Sequence, residues 1–173
     1  MFAAVSDTAY DIVLVLHILC AIIGFGGVAL AGIYDQQSRA RGGSEGFAIF
    51  QANLLVTRVA SYFIYAVFLL GILLVLLSDD VIGFGDTWIW LAIVIFVAAV
   101  GAVHALLFPR LKRVEGLLAG LLSAVPPAGA GGPPPQGAEL ARVGRQVGII
   151  STALNLATLV ILILMVTKPG IGG

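Results

Sequence analysis

The stretch VLVLHILCAIIGFGGVALAGIY, residues 13–34, decides the fold of this chain. It carries no charge at neutral pH unless His17 takes up a proton. A helix needs about 20 such residues to cross a hydrocarbon core roughly 30 Å thick, so we predict a membrane-spanning helix here. Ionisable groups at membrane depth are costly and usually face a bundle interior, a cavity or a cofactor. His17 is therefore the first residue whose position needs an explanation.

The composition of the whole chain is that of a polytopic membrane protein. Of its 173 residues, 60% are hydrophobic and 10% are charged, and the mean hydropathy is +1.11. A soluble domain has about 25% charged residues, so this sequence cannot build a water-solvated surface. The nine basic and nine acidic residues balance, which gives no argument for a nucleic-acid partner. The single cysteine excludes an intrachain disulfide.

Four apolar runs are long enough to span a bilayer, at residues 12–34, 59–77, 87–108 and 147–167. A short acidic turn separates the second run from the third and makes them antiparallel neighbours. We predict one all-α domain over residues 1–173, an integral membrane four-helix bundle with antiparallel up-down order. Residues 126–137, PPAGAGGPPPQG, are predicted to form a flexible linker. A proline-rich docking motif is the alternative for this segment.

The basic residues predict the orientation. Eight of the nine lie in or beside the two long connections, namely Arg39, Arg41, Arg58, Arg110, Lys112, Arg113, Arg142 and Arg145. Only Lys168 lies on the other side. The positive-inside rule then places both connections in the cytoplasm and both termini outside. Trp88 and Trp90 would enter the third helix at the outer interface, as residues of an aromatic belt do.

Both long connections are predicted to contain helix. Phe47, Phe50 and Leu54 recur at helical spacing after Ser44, the predicted N-cap, so the second helix begins before it enters lipid. After Pro109, the segment RLKRVEGLLAGLLSAV has one apolar face. This segment is either an amphipathic helix lying on the inner leaflet or an extension of the third helix bent at the proline.

The chain has two histidines, His17 and His104, and both lie within spanning helices. Neutral imidazole is a ligand for haem iron. Gly24 and Gly101 lie on the helix faces of the two histidines and leave room for a flat macrocycle. The alternative is that each histidine is hydrogen-bonded to a neighbouring helix, for example to Asn155.

Depth separates the two histidines. At 1.5 Å per residue, His17 lies about 8 Å from the outer end of its helix and His104 about 26 Å from the outer end of its own. A separation of roughly 18 Å prevents them from ligating one iron, which leaves one haem near each face. Met165, at the outer end of the fourth helix, is the candidate second ligand on that side.

The sequence gives weaker indications of a copper site, a transport path or an enzyme active site. Cys20 and His17, three residues apart, are a candidate copper(I) pair, and a buried inert thiol is the ordinary alternative. Asn155 fits an interhelical hydrogen bond or a polar path for a transported solute. The sequence has no hydrolase triad, phosphate-binding loop or dinucleotide fingerprint, so it does not decide whether the protein is an enzyme.

Four segments carry a resemblance to known proteins: LHILCAIIGFGGVALAGIYDQQSRARG, ANLLVTRVASYFIYAVFLLGILLVLLSDD, TWIWLAIVIFVAAVGAVHALLFPRLKR and LNLATLVILILMVTKPG. Together they resemble a family of bacterial four-helix membrane proteins that is related to copper-resistance protein D and to the four-helix, haem-binding protoporphyrinogen oxidase. The resemblance implies a haem contact for His17, in its Leu-His-Ile setting, and matches His104 to a histidine late in the third helix of these relatives. That oxidase has a lysine in its third helix, and residues 87–108 contain none, which argues against protoporphyrinogen oxidation.

The leading hypothesis is a b-type haem-binding protein of the bacterial plasma membrane, either an electron carrier or a haem-bearing accessory subunit. His17 is its axial ligand, His104 is a second metal-binding position, Gly24 and Gly101 provide space, and Met165 is a further ligand. Two alternatives stand beside it: a non-catalytic structural subunit of a larger complex, and a small transporter or copper-handling protein. The expected partners are the lipid bilayer and other membrane subunits or a second copy of the chain.

Overall fold

The computed structural model describes residues 8–78, 82–123 and 135–169, and these residues form helices and the turns between them, with no strand. The helices are α1 (Thr8–Arg41), α2 (Gly43–Leu76), α3 (Thr87–Ala102), α4 (Phe108–Ser123) and α5 (Pro135–Thr167). A π-helical turn, Val103–Leu107, joins α3 to α4, so that one helix runs from Thr87 to Ser123.

Four helices in the described part of the chain are long and apolar enough to cross a membrane, which confirms the predicted four-helix membrane bundle. The 34 residues of α1 span about 51 Å, more than the hydrocarbon core requires. The helices exceed the predicted apolar runs mainly at one end of the bundle. We call this the basic end, because it holds Arg39, Arg41, Arg58, Arg110 and Arg145.

Two glycines make the turn between α1 and α2 at the basic end. Gly42 has a φ of 61° and Gly43 a φ of 52°, in the left-handed region that costs other residues about 1–2 kcal/mol. Because α2 begins at Gly43, Ser44 lies inside the first turn, and the predicted N-cap at Ser44 is wrong. The Ser38 hydroxyl donates a 2.8 Å hydrogen bond to the Gly46 carbonyl and ties the two helix ends together.

Small residues bring α1 and α2 into close contact along their length. A Cβ atom built on Gly27 would lie 2.8 Å from the Cβ of Ala60, closer than two carbon atoms normally approach. Nearer the basic end of the same interface, the Asn53 amide donates a 3.0 Å hydrogen bond to the Ala31 carbonyl. Lipid gives no hydrophobic drive for helix association, so this fit between surfaces holds the α1–α2 hairpin together.

The π-helical turn precedes Pro109, which has no N–H and whose ring clashes with the carbonyl of a regular helix four residues earlier. Here the Phe108 N–H bonds to the carbonyl of Val103, five residues back, and widens the helix at this point. The Arg110 guanidinium donates a 2.8 Å hydrogen bond to the Leu106 carbonyl. The widened turn accommodates the proline without breaking the helix, which continues into α4.

The α4 helix packs against α2 and α5 instead of lying apart on a membrane surface. A cluster of buried residues joins them, made of Phe50, Leu107, Val114, Val143 and Val147. Of the two predicted alternatives for the segment after Pro109, the structure therefore has the extension of the third helix. The predicted linker lies outside the described residues up to residue 134, and residues 135–137 belong to the first turn of α5.

A second buried cluster lies at the opposite end, where α3 packs against α5. It contains Trp88, Ile89, Ala92 and Leu164. Trp88 is only 5% exposed because it packs in this cluster, whereas Trp90 is 54% exposed. The interfacial depth predicted for both residues stays a prediction. Trp88 and Ala92 are four residues apart on α3 and therefore face α5 together. Trp90, two residues after Trp88, lies on the opposite side of the helix.

Candidate functional site

A cavity of about 680 Å³ lies between the α1–α2 hairpin and the α3–α5 pair, in the half of the bundle away from the basic end. Its wall is made mostly of aliphatic side chains, with aromatic rings among them that include Phe25, Phe68, Trp88 and Phe96. Lys168 is the only charged residue among the described residues that line it. Ligand pockets typically measure about 300–1,000 Å³ and are mostly apolar. The cavity has the size and lining expected for a large apolar ligand.

Two stacked rings hold this cavity open. Phe68 of α2 and Phe96 of α3 stack with their centroids 4.6 Å apart and their planes 8° from parallel. Within the described residues, the α2 and α3 backbones do not pack closely, and these rings bridge the gap between them. Both rings belong to the cavity wall and close it towards the basic end on the side of α2 and α3.

His17 lines the cavity from α1, with its ring turned towards α2. A Cβ atom built on Gly71 would lie 3.3 Å from the Cε1 atom of His17 and 3.7 Å from its Nδ1 atom, so the ring lies close against the α2 backbone and a larger residue at position 71 would push it away. Nδ1 is buried, and no acceptor meets hydrogen-bond geometry there. Because Nδ1 faces α2, Nε2 is the ring nitrogen left to the cavity.

His17 has part of the arrangement that metal-binding histidines use. A ligating histidine almost always directs its second ring nitrogen at a carboxylate, a backbone carbonyl or water, which fixes the tautomer and the ring plane. In His17 the second nitrogen, Nδ1, faces α2 beside Gly71, but no acceptor among the described residues meets hydrogen-bond geometry there. The imidazole is therefore oriented by α2 while its other nitrogen faces an apolar space.

Met165 lines the same cavity from α5. His17 lies nine residues after the start of α1, whereas Met165 lies two residues before the end of α5. Met165 is therefore nearer than His17 to the end of the bundle away from the basic end. Helical side chains lean towards the N-terminus of their helix, and α1 and α5 run in opposite directions, so these two side chains lean towards each other.

His104 does not line this cavity. It belongs to the π-helical turn, where its Nε2 atom lies 2.7 Å from the Tyr65 hydroxyl oxygen. Its ring also stacks on Tyr65, with centroids 6.0 Å apart, and meets the ring of Phe108 edge-on at 5.4 Å. The alternative to haem ligation was a hydrogen bond to a neighbouring helix. His104 forms such a bond, and its partner is a tyrosine of α2. Asn155 is exposed on α5.

The two glycines predicted to make space lie in different surroundings. A Cβ atom on Gly24 would lie 2.9 Å from Ile64 Cγ1 and 3.2 Å from the Ile64 backbone nitrogen, so α2 already fills that side. Gly101 is exposed, and no atom comes within 4 Å of a Cβ built there, so the surface beside His104 is open. At the cavity, the glycine beside the His17 ring is Gly71 of α2, and the space over it is filled by that ring.

Sequence reasoning missed Gly71, Phe68 and Phe96. All three lie inside long apolar runs in which many residues have the same composition and spacing. No pattern within one helix identifies them, because their role depends on which residue of a neighbouring helix lies opposite. Their only sequence signal is a residue type, glycine or phenylalanine, that is common in membrane helices.

The structure also indicates which side chains could bind a metal ion directly, without a porphyrin. Cys20 is half-buried and carries a free thiol, and it is not among the residues that line the cavity. Across the described ranges, no group of three or more histidine, cysteine, aspartate or glutamate residues comes together to hold a metal ion. Any cofactor at His17 would therefore need to bring most of its own ligands.

The comparison with known proteins agrees with this architecture. No curated protein and no solved structure matches the chain. One family model matches residues 11–169, and its description is predicted integral membrane protein. That match reaches from the first turns of α1 to the end of α5, and the chain therefore belongs to the DUF2269 family of predicted integral membrane proteins.

Proposed function

We propose that the protein binds a b-type haem, with His17 as the axial ligand and Met165 as the second ligand, and works as an electron carrier or a haem-bearing accessory subunit. One observation carries the proposal: an imidazole oriented by α2 presents its free nitrogen to an apolar cavity of about 680 Å³. The resemblance to haem-binding four-helix membrane proteins supports the same residue.

The residues of the cavity fit this cofactor. A haem has a flat apolar ring with two carboxylates on one edge, and the cavity offers apolar walls with a single cation, Lys168, among its described lining residues. Phe25 and Phe96 would pack on the ring and exclude water, and Lys168 would pair with the carboxylates. When bound, a haem with histidine and methionine ligands supplies one-electron redox chemistry at a raised potential.

The location of the cavity suits exchange of electrons at one membrane face. With the basic end in the cytoplasm, as the positive-inside rule requires, the cavity lies in the outer half of the membrane. His104, bonded to Tyr65 nearer the basic end, remains a second candidate position for a metal or a haem. In this proposal His17 is the principal site.

The test is the absorption spectrum of the full-length protein after haem-supplemented expression and purification in mild detergent. We expect a Soret band in the wild type, its loss in His17→Ala, and a retained band with a lower reduction potential in Met165→Leu. His104→Ala is the matched control and should keep the Soret band of the His17 site. A wild type without any Soret band, or loss of the band in His104→Ala but not in His17→Ala, would contradict the proposal.

A structural role in a larger complex makes the opposite prediction. Such a subunit would stay free of cofactor and would co-purify with other chains, because its helix faces would be completed by partners. The spectrum and the composition of the purified particle therefore separate the two functions in one preparation.

A further inference from the structure

A second cavity, of about 520 Å³, opens on the surface of the bundle at the basic end. It runs along one face of α5 and shares no lining residue with the His17 cavity. Its lining includes Arg39 of α1 together with Gly144, Arg145, Gly148, Ile149 and Leu156 of α5. We call it the α5 groove.

The chemistry of the α5 groove changes along the helix axis. Its two arginines, Arg39 and Arg145, lie at the end of the groove next to the basic end of the bundle. Leu156 lies eleven residues beyond Arg145, or about 16 Å further into the apolar part of α5. The groove is thus cationic at the membrane surface and apolar below it, which is the polarity of a phospholipid.

The charge in the groove is not fully neutralised by the protein. Arg39 donates to Asp35 at 2.7 Å, and its guanidinium reaches across to α5, where both Nη atoms lie 3.8 Å from a Cβ built on Gly144. Arg145 is exposed and takes part in none of the ion pairs formed among the described residues. At least one positive charge is left for a ligand.

Space for an acyl chain lies directly below these charges. Gly148 has no atom within 4 Å of a Cβ built on it, so the floor of the groove is open there. Ile149 and Leu156 are exposed apolar side chains that border this floor. An acyl chain in the groove would exchange apolar contacts with other lipids for apolar contacts with α5. Its head group would in addition accept hydrogen bonds from two guanidinium groups.

We propose that the α5 groove binds one anionic phospholipid, with its phosphate between Arg39 and Arg145 and one acyl chain over Gly148 towards Leu156. Basic pockets between membrane helices recognise acidic head groups in this way. A zwitterionic lipid has no net charge to match the uncompensated arginine, so it binds more weakly. The site is independent of any haem at His17.

The experiment is native mass spectrometry of the full-length protein, released from mixed micelles containing equal amounts of phosphatidylglycerol and phosphatidylcholine. We expect wild type to retain one phosphatidylglycerol in preference to phosphatidylcholine. Each arginine near the surface contributes about fivefold in affinity, so Arg145→Gln should weaken retention about fivefold and the double variant with Arg39→Gln about 25-fold. Glycerol 3-phosphate, which has the head-group charge without acyl chains, should not displace the lipid.

Two further variants separate a site from general attraction. Arg142 is exposed on the same helix but does not line the groove, so Arg142→Gln removes the same charge and should weaken retention less than Arg145→Gln does. Gly148→Leu should fill the open floor and abolish retention while keeping the wild-type unfolding midpoint. Equal losses in Arg142→Gln and Arg145→Gln would overturn the proposal. A dimer that Gly148→Leu converts to a monomer, with lipid still bound, would show that a second copy occupies the groove and would also overturn it.

Discussion

Replacing Gly27 with alanine should force α1 and α2 apart. The new Cβ would lie 2.8 Å from the Cβ of Ala60, whereas carbon atoms in contact prefer about 3.5–4.0 Å. Ala60 is 2% exposed, and its Cβ has no torsion that could move it aside. The helices must therefore separate by about 1 Å at this level, and neighbouring contacts lose a quarter to a half of their dispersion energy.

The expected cost follows from two opposing effects. Overpacking of this kind destabilises by about 1–3 kcal/mol. Removing a glycine from a helix interior returns about 0.5–1 kcal/mol, because alanine has less conformational freedom to lose. Gly27→Ala should therefore lower the free energy of unfolding by about 1 kcal/mol, within a range of about 0–2.5 kcal/mol. Gly26→Ala, one residue earlier and with no neighbour within 4 Å, should raise it by about 0.5–1 kcal/mol.

The assay is equilibrium unfolding in bicelles, with helix content followed as denaturant increases. The adjacent variants should shift the midpoint in opposite directions. The double variant Gly27→Ala/Ala60→Gly removes the crowding Cβ and should recover most of the loss. Equal stability of the Gly26 and Gly27 variants, or no recovery in the double variant, would refute the close contact between α1 and α2.

Three further predictions test the site and the basic end. Gly71→Leu should displace the His17 ring from α2 and lower haem affinity about 10–100-fold, measured by Soret titration at unchanged helix content. Tyr65→Phe removes the 2.7 Å bond to His104 and should cost about 0.6 kcal/mol, with about 1.7 kcal/mol as the upper bound; the same cost in a His104→Phe background would disprove the coupling. Ser38→Ala removes the 2.8 Å bond to the first turn of α2 and should cost about 0.5–1.5 kcal/mol, seen as faster hydrogen exchange at that turn.

Part of the candidate site was visible in the sequence. His17 and Met165 stood out because a histidine at membrane depth is unusual and because the methionine ends the fourth run on the same side. Gly24 was chosen from its spacing to His17 along α1, and the structure places it against Ile64 instead. Spacing within one helix tells which residues share a face of that helix. It does not tell which residue of a neighbouring helix packs against that face.

The sequence alone determined that the protein has four membrane-spanning helices, because the length and hydropathy of a segment decide whether it crosses the bilayer. It did not determine that Gly71 lies opposite His17, that Trp88 is buried, or that Phe68 stacks on Phe96. Those are relations between helices far apart in the chain. In lipid, every apolar face is equally well solvated, so hydrophobicity does not select which faces meet. The fit of one helix surface to another and the hydrogen bonds between helices decide this, and both are properties of the tertiary structure.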